Sequence, residues 1–149
     1  MTRNHYVIIA GLLFWLLFFW YILWNELRAV LKQKEVTGET ISLSVSIYFL
    51  MGFLWGIFYV LLFFLQPQSF SFGGSQSSAP SGIEVFPVLV YFSLTTISTV
   101  GFGDITPLTL QARYAAVAEG IAGQFYLAIL VARLVGLYMA HSASHDSPS

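Results

Sequence analysis

The sequence has no cysteine, only 9% charged residues and only three histidines. Without cysteine there can be no disulfide, zinc–thiolate site or thiol nucleophile, although this leaves the compartment open. A net charge of −1 provides no basic footprint for nucleic acid and no polybasic lipid-binding tail. The carboxylates are scattered and His5 stands alone near the N-terminus, so no catalytic constellation forms and the chain does not read as an enzyme. What it has in abundance is apolar surface, at 57% hydrophobic and 17% aromatic over 149 residues. One small core cannot bury that much, and aromatic side chains favour membrane interfaces. Lipid is the expected solvent for much of the chain.

Three runs are long enough to cross a bilayer. Tyr6–Trp24 carries no charge and would cover roughly 28 Å as a helix. It ends in bulky Tyr21, Leu23 and Trp24 without a small-residue cleavage pattern, which favours a retained helix over a signal peptide. Ile41–Leu65 is the second run, with Gly52 and Gly56 spaced for close helix packing. The third begins at Thr106–Pro107, read as an N-cap and first helical residue, and continues to Ala140. Between them, residues 66–85 are rich in Ser, Gly, Gln and Pro and read as a loop. Residues 86–98 then form an apolar, threonine-rich helix with Pro87 at its start. About 12 helical residues reach only roughly 18 Å, too short to cross. A short helix followed by glycine-containing extended backbone predicts a re-entrant loop, which membranes tolerate only where protein or water surrounds it.

That extended backbone is Thr99-Val100-Gly101-Phe102-Gly103-Asp104. Successive carbonyls, together with the Thr99 hydroxyl, can point at a dehydrated cation, and four such strands around an axis would stack oxygen cages that replace its hydration shell. The TVGYG loop is the established example of this device, and its mechanism is applied here. Gly101 and Gly103 suit a backbone in which alternate residues adopt conformations that a Cβ penalises. The C-terminal end of the short helix would favour a cation, and Asp104, with Glu84 nearby, would raise its local concentration. A plain Gly-Phe-Gly turn is the competing reading. A phosphate loop is not, because no lysine follows the glycines.

The stretch YFSLTTISTVGFGDITP, Tyr91 to Pro107, resembles the pore of the potassium channel family, specifically bacterial channels with a two-helix pore. The resemblance extends over Ile41–Ala140. It implies an all-α membrane protein with three transmembrane helices, a re-entrant pore helix and a filter loop, assembled with three identical subunits as a homotetramer. It also implies K+ at Thr99, Val100, Gly101 and Phe102, with Gly103 completing the filter, Asp104 at the outer mouth and no other cofactor. The expected organisation is an N-terminal helix and cytoplasmic linker over 1–40 and a pore domain over 41–140. Within the pore domain lie an outer helix 41–65, extracellular loop 66–85, pore helix 86–98, filter 99–104 and inner helix 107–140, and a short cytoplasmic tail occupies 141–149. By the same resemblance the inner helix lines a watery cavity, Arg113 stands at its start and Gly123 lets it bend. Phe102 replaces the family's commoner tyrosine, which removes a hydroxyl that could brace the filter from behind. The expected activity is passive, selective K+ permeation. A non-selective cation channel and a non-conducting membrane assembly or sensor subunit are the alternatives.

Remaining charges set the orientation. Residues 25–40 hold Arg28, Lys32 and Lys34, whereas residues 66–85 hold no Lys or Arg. The positive-inside rule therefore puts the first segment in the cytoplasm, the N-terminus outside and the C-terminus inside. Glu119, the only charge between Arg113 and Arg133, is expected behind the filter, bonded to Thr95, Thr96 or the Tyr91 hydroxyl. A glutamate that merely ties helices together is the other reading. On the helical wheel Gln124, Leu127, Ala128, Val131, Ala132 and Val135 share the cavity and gate face, adjoining Gly123. Arg133 turns outward, where it would snorkel to lipid headgroups. His141 and His145 are spaced for a metal on a continued helix, but a polar tail favours solvated histidines. The first helix lacks the repeated arginines of a voltage sensor.

Overall fold

A computed structural model describes residues 2–33, 37–73, 80 and 82–145, with side chains over 6–33, 37–73, 80 and 82–139. The readings placed on the side chains of His5, His141 and His145 lie outside the described residues. The architecture is all-α: α1 (Thr2–Lys32), α2 (Gly38–Leu65), the short α3 (Val85–Ile97) and α4 (Leu110–His145). Among these α1, α2 and α4 are long and apolar enough to cross a membrane. The 13 residues of α3 reach only about 20 Å.

α1 outruns its expected span because the helix continues through Asn25–Lys32. There Asn25 Nδ2 donates to the Tyr21 carbonyl and Arg28 lies 4.7 Å from the Trp24 ring centroid. The expected linker of residues 25–40 thus contracts to the few residues before α2. Thr37 then starts α2 through a capping box: its hydroxyl accepts from Thr40 N–H, and Thr40 accepts from Thr37 N–H, both at 3.3 Å. At the far end Gln66 N–H donates to Leu62 O at 2.8 Å, and Pro67 cannot continue the helix.

α2 is apolar around its circumference, as suits a helix with neighbours on several sides. It packs on α1, α3 and α4. Gly52 and Gly56 seat α3: an added Cβ would stand 2.6 Å from Leu94 Cδ2 at one and 2.8 Å from Val90 Cγ2 at the other. Three rings lock α3 further. Tyr59, Phe70 and Phe92 meet edge to face, with centroids 5.1–5.6 Å apart. They form the core with buried Val60, Val85, Leu89 and Ala112.

Thr106 and Pro107 do not begin α4. They belong to β2 (Ile105–Pro107), which pairs antiparallel with β1 (Phe70–Phe72) in the register Phe70↔Pro107. Proline fits there because a two-stranded ribbon has free edges that need no donor. The helix begins three residues later, where Thr109 Oγ1 accepts from Ala112 N–H at 3.4 Å. The ribbon ties the backbone after Asp104 to the end of α2, and Gly73 N–H donates to Asp104 O at 2.6 Å.

Candidate functional site

The α3 helix hands over directly to the Thr99–Asp104 loop. Ser98 caps α3, and Thr99 N–H donates to Thr96 O at 3.0 Å. From there the backbone alternates: φ is +60° at Thr99, +50° at Gly101 and +78° at Gly103. Nothing lies within 4 Å of a Cβ built on Gly101 or Gly103. Glycine is needed there for the conformation, not for room. Thr99 has a Cβ and occupies the same region, at a cost of roughly 1–3 kcal/mol. Gly101 N–H is anchored on Thr95 O at 3.0 Å. Val100 and Phe102 are 54% and 70% exposed in the single chain, so the loop presents an open face.

Tyr91 on α3 braces this loop. Its ring is parallel to that of Phe102, with centroids 6.4 Å apart, and its hydroxyl donates to Asp104 Oδ2 at 2.9 Å. That hydrogen bond pushes the Tyr91 hydroxyl above its ordinary range. Asp104 Oδ1 accepts from Ile105 N–H. Glu84 is exposed at the start of α3.

Glu119 is fully buried, with partners that differ from those expected. Oε2 accepts from the Tyr59 hydroxyl at 2.6 Å, and Oε1 bonds Ser93 Oγ. Thr95 and Thr96 are unavailable to it because both hydroxyls donate to Phe92 O, and Tyr91 is turned to Asp104. Ser93 Oγ also bonds Gly52 O at 2.7 Å. A hydroxyl has one proton and a carbonyl none, so the count closes when the Glu119 carboxyl carries a proton and donates to Ser93. Tyr59 and Ser93 lie 60 and 26 positions from Glu119, Tyr59 in an apolar run and Ser93 among the rival hydroxyls of Tyr91, Thr95 and Thr96, so sequence pattern does not single them out.

The end of α3 is held from both sides. Tyr48 Oη donates to Ile97 O at 2.9 Å, and an added Cβ on Gly123 would stand 2.8 Å from the same oxygen. Gly123 is therefore a close-approach residue, buried and off the cavity face. Beneath the loop Thr96, Thr99, Ile121, Gln124, Phe125 and Ala128 line a concavity of about 670 Å³. The expected Gln124 and Ala128 are part of it, whereas Leu127, Val131 and Val135 are exposed outside it. Val117, Ile121 and Phe125 are legible by stepping back along the helix from Ala128 in threes and fours. Arg133 does not snorkel: its Nη2 donates to Leu31 O at 2.6 Å and Gln33 O at 2.8 Å, capping α1. Arg113 Nε donates to Pro107 O.

Comparison with known proteins agrees with this layout. The chain is 26% identical over 117 residues to the Shaker-related potassium channel tsha2 of Oncorhynchus mykiss, covering 77% of this chain and 23% of that one. It is 42% identical over 57 residues to Two-pore potassium channel 5 of Arabidopsis thaliana, covering 37% and 14% respectively. The chain thus spans less than a quarter of the length of these relatives. No solved structure matches it significantly. The family described as "Ion channel" matches residues 48–140, from the middle of α2 through α4. A multi-pass membrane chain, matched over more than half its length, belongs to the ion channel family.

Proposed function

We propose that the chain is one of four identical subunits of a potassium-selective channel that passes K+ down its electrochemical gradient. The observation that carries this reading is the alternation of positive φ at Thr99, Gly101 and Gly103 in a loop with an open face. Alternation turns successive peptide planes the same way, so the carbonyls of Thr99, Val100, Gly101 and Phe102 form one ladder of oxygens. Four ladders supply the cages that replace water around K+. A single ladder coordinates an ion on one side only, and hence the tetramer.

In this reading Gly103 completes the filter, Asp104 stands at the outer mouth, and the concavity lined by Gln124 and Ala128 is one quarter of a watery cavity. Leu127, Val131 and Val135 continue toward an apolar gate. Thr95 supports the filter through its carbonyl, and Glu119 supports it by locking α2, α3 and α4 together. The N-terminus lies outside and the C-terminus in the cytoplasm, with Arg28 and Lys32 on the inner side.

The test is reconstitution of the full chain in liposomes, with K+ and Na+ flux measured separately. Flux of K+ far above Na+ is expected. Equal flux would sink selectivity, and silence across pH and voltage would favour a non-conducting subunit. Because the chain has no cysteine, single cysteines at Gln68 and Lys32 report orientation: an impermeant thiol reagent outside cells should label the first alone.

A further inference from the structure

A helix leaves the carbonyls of its last turn without helical partners. In α3, three of these four are held by the chain that follows. Leu94 O accepts from Ser98 N–H at 3.2 Å, and Thr96 O and Thr95 O accept from Thr99 N–H and Gly101 N–H, both at 3.0 Å. The fourth, Ile97 O, is reached from another helix, by the Tyr48 hydroxyl at 2.9 Å. Ile97 is fully buried where three helices meet. A Cβ added to Gly52 of α2 would stand 3.8 Å from its Cγ2, and one added to Gly123 of α4 would stand 2.6 Å from its Cγ1. The Tyr48 ring stacks on that of Tyr126 of α4, with centroids 6.1 Å apart and planes 26° apart. The Tyr126 hydroxyl donates to Ser44 O at 2.7 Å, one turn before Tyr48 on α2. The two rings thus clasp α4 to α2 at one hydroxyl and α2 to α3 at the other.

Ile97 precedes Thr99 by two residues, and its turn carries the carbonyls that anchor Thr99 and Gly101. The setting of that turn therefore fixes where the first oxygens of the ladder stand. A filter works through the placement of such oxygens, and placement is kept to a fraction of an ångström by groups locked behind it. Without the Tyr48 hydroxyl, Ile97 O would be buried and unpaired, and the last turn of α3 would shift to relieve it. We propose that Tyr48 is a positioning residue for the Thr99 end of the filter, and that its stack on Tyr126 makes this hold depend on α4. Phe125, beside Tyr126, lines the concavity under the loop, so the helix that walls the pathway also carries the ring that steadies Tyr48. This inference rests on the filter reading above and deepens it.

The full chain in detergent is titrated with K+ by calorimetry in a choline background, and amide exchange over residues 95–104 is followed by mass spectrometry without K+. Tyr48→Phe keeps the ring and loses the hydroxyl. It should weaken K+ binding roughly fivefold, the factor carried by one net hydrogen bond, and speed exchange of the Thr99 and Gly101 amides by a similar factor. p-Aminophenylalanine in place of Tyr48 restores a donor and should restore both readouts, which separates the hydrogen bond from ring packing. Tyr126→Leu removes the stacked ring and should act in the same direction. Combined with Tyr48→Phe it should add little, because it acts through Tyr48; helical circular dichroism confirms that each variant folds. Unchanged K+ binding or unchanged exchange in Tyr48→Phe would overturn the proposal, and additive effects would overturn the dependence on α4. A wild-type chain that binds no K+ would sink the filter reading itself, and exchange alone would then decide for or against Tyr48.

Discussion

Tyr91 donates its hydroxyl to Asp104 Oδ2 at 2.9 Å while its ring lies parallel to Phe102. One side chain of the short helix therefore holds both an aromatic of the loop and the acid that follows it. Phe102 has no hydroxyl of its own. The structure places one beside it, on the helix instead of in the loop, and thereby supplies from Tyr91 a polar brace that the loop sequence lacks.

Replacing Tyr91 by Phe keeps the stacked ring and releases Asp104. In single-channel recordings from planar bilayers, Tyr91→Phe should shorten the conducting periods several-fold with little change in K+ over Na+ preference. Asp104→Asn should act in the same direction, and the double variant should add little, because the two residues form one contact. Unchanged dwell times in Tyr91→Phe would show that the tether does not brace the loop.

The Glu119 cluster separates charge from hydrogen bonding. Glu119→Gln retains a donor for Ser93 and an acceptor for Tyr59, so unfolding in detergent should shift little. Glu119→Ala leaves the buried Tyr59 hydroxyl without its partner, at roughly 1–3 kcal/mol, takes one hydrogen bond from Ser93, which keeps Gly52 O, and opens a cavity. The expected loss is about 2–5 kcal/mol. A Gln variant as unstable as the Ala variant would sink the donor count.

Much of this was legible from residue pattern. The first two spans follow from charge-free length, the third from an apolar run that Glu119 alone interrupts between Arg113 and Arg133, and α3 betrays itself by being apolar yet too short. Two kinds of feature were not legible. Helix starts compete: Thr106–Pro107 and Thr109–Leu110 both resemble caps, and only the pairing of β1 with β2 decides between them. Long-range partners were also hidden. Arg133 on a helical wheel points away from the pore axis, but nothing in the sequence says that α1 ends there with unpaired carbonyls. Glu119 was singled out by the cost of a charge in lipid. Its choice of Tyr59 and Ser93 over two threonines depends on those threonines bonding back to Phe92.

Glycines at close approaches should be intolerant, and others not. Gly56→Ala would push a methyl within 3.0 Å of Val90 Cα, and Gly123→Ala within 2.8 Å of Ile97 O. Backbone atoms cannot step aside as a flexible side chain can, so each variant should lose roughly 1–3 kcal/mol in detergent unfolding. Gly11→Ala meets nothing within 4 Å on the same kind of helix and should be neutral or slightly stabilising. Equal effects at all three positions would mean that helix propensity, not packing, governs them.

Gly101 offers the sharpest test of the filter reading. Its φ of +50° is penalised for an L-residue, yet an added Cβ would meet nothing within 4 Å. Conformation and crowding can therefore be tested apart. Gly101→Ala should abolish K+ flux in liposomes, because L-alanine pulls the peptide planes on either side out of the ladder. D-alanine at the same position, introduced by semisynthesis, has mirrored preferences and should restore much of the flux. Thr95 O must keep its bond to Gly101 N–H in both, so a loss of tetramers should accompany neither. If L-alanine conducts as well as glycine, the loop is an ordinary turn, and the pore must run elsewhere.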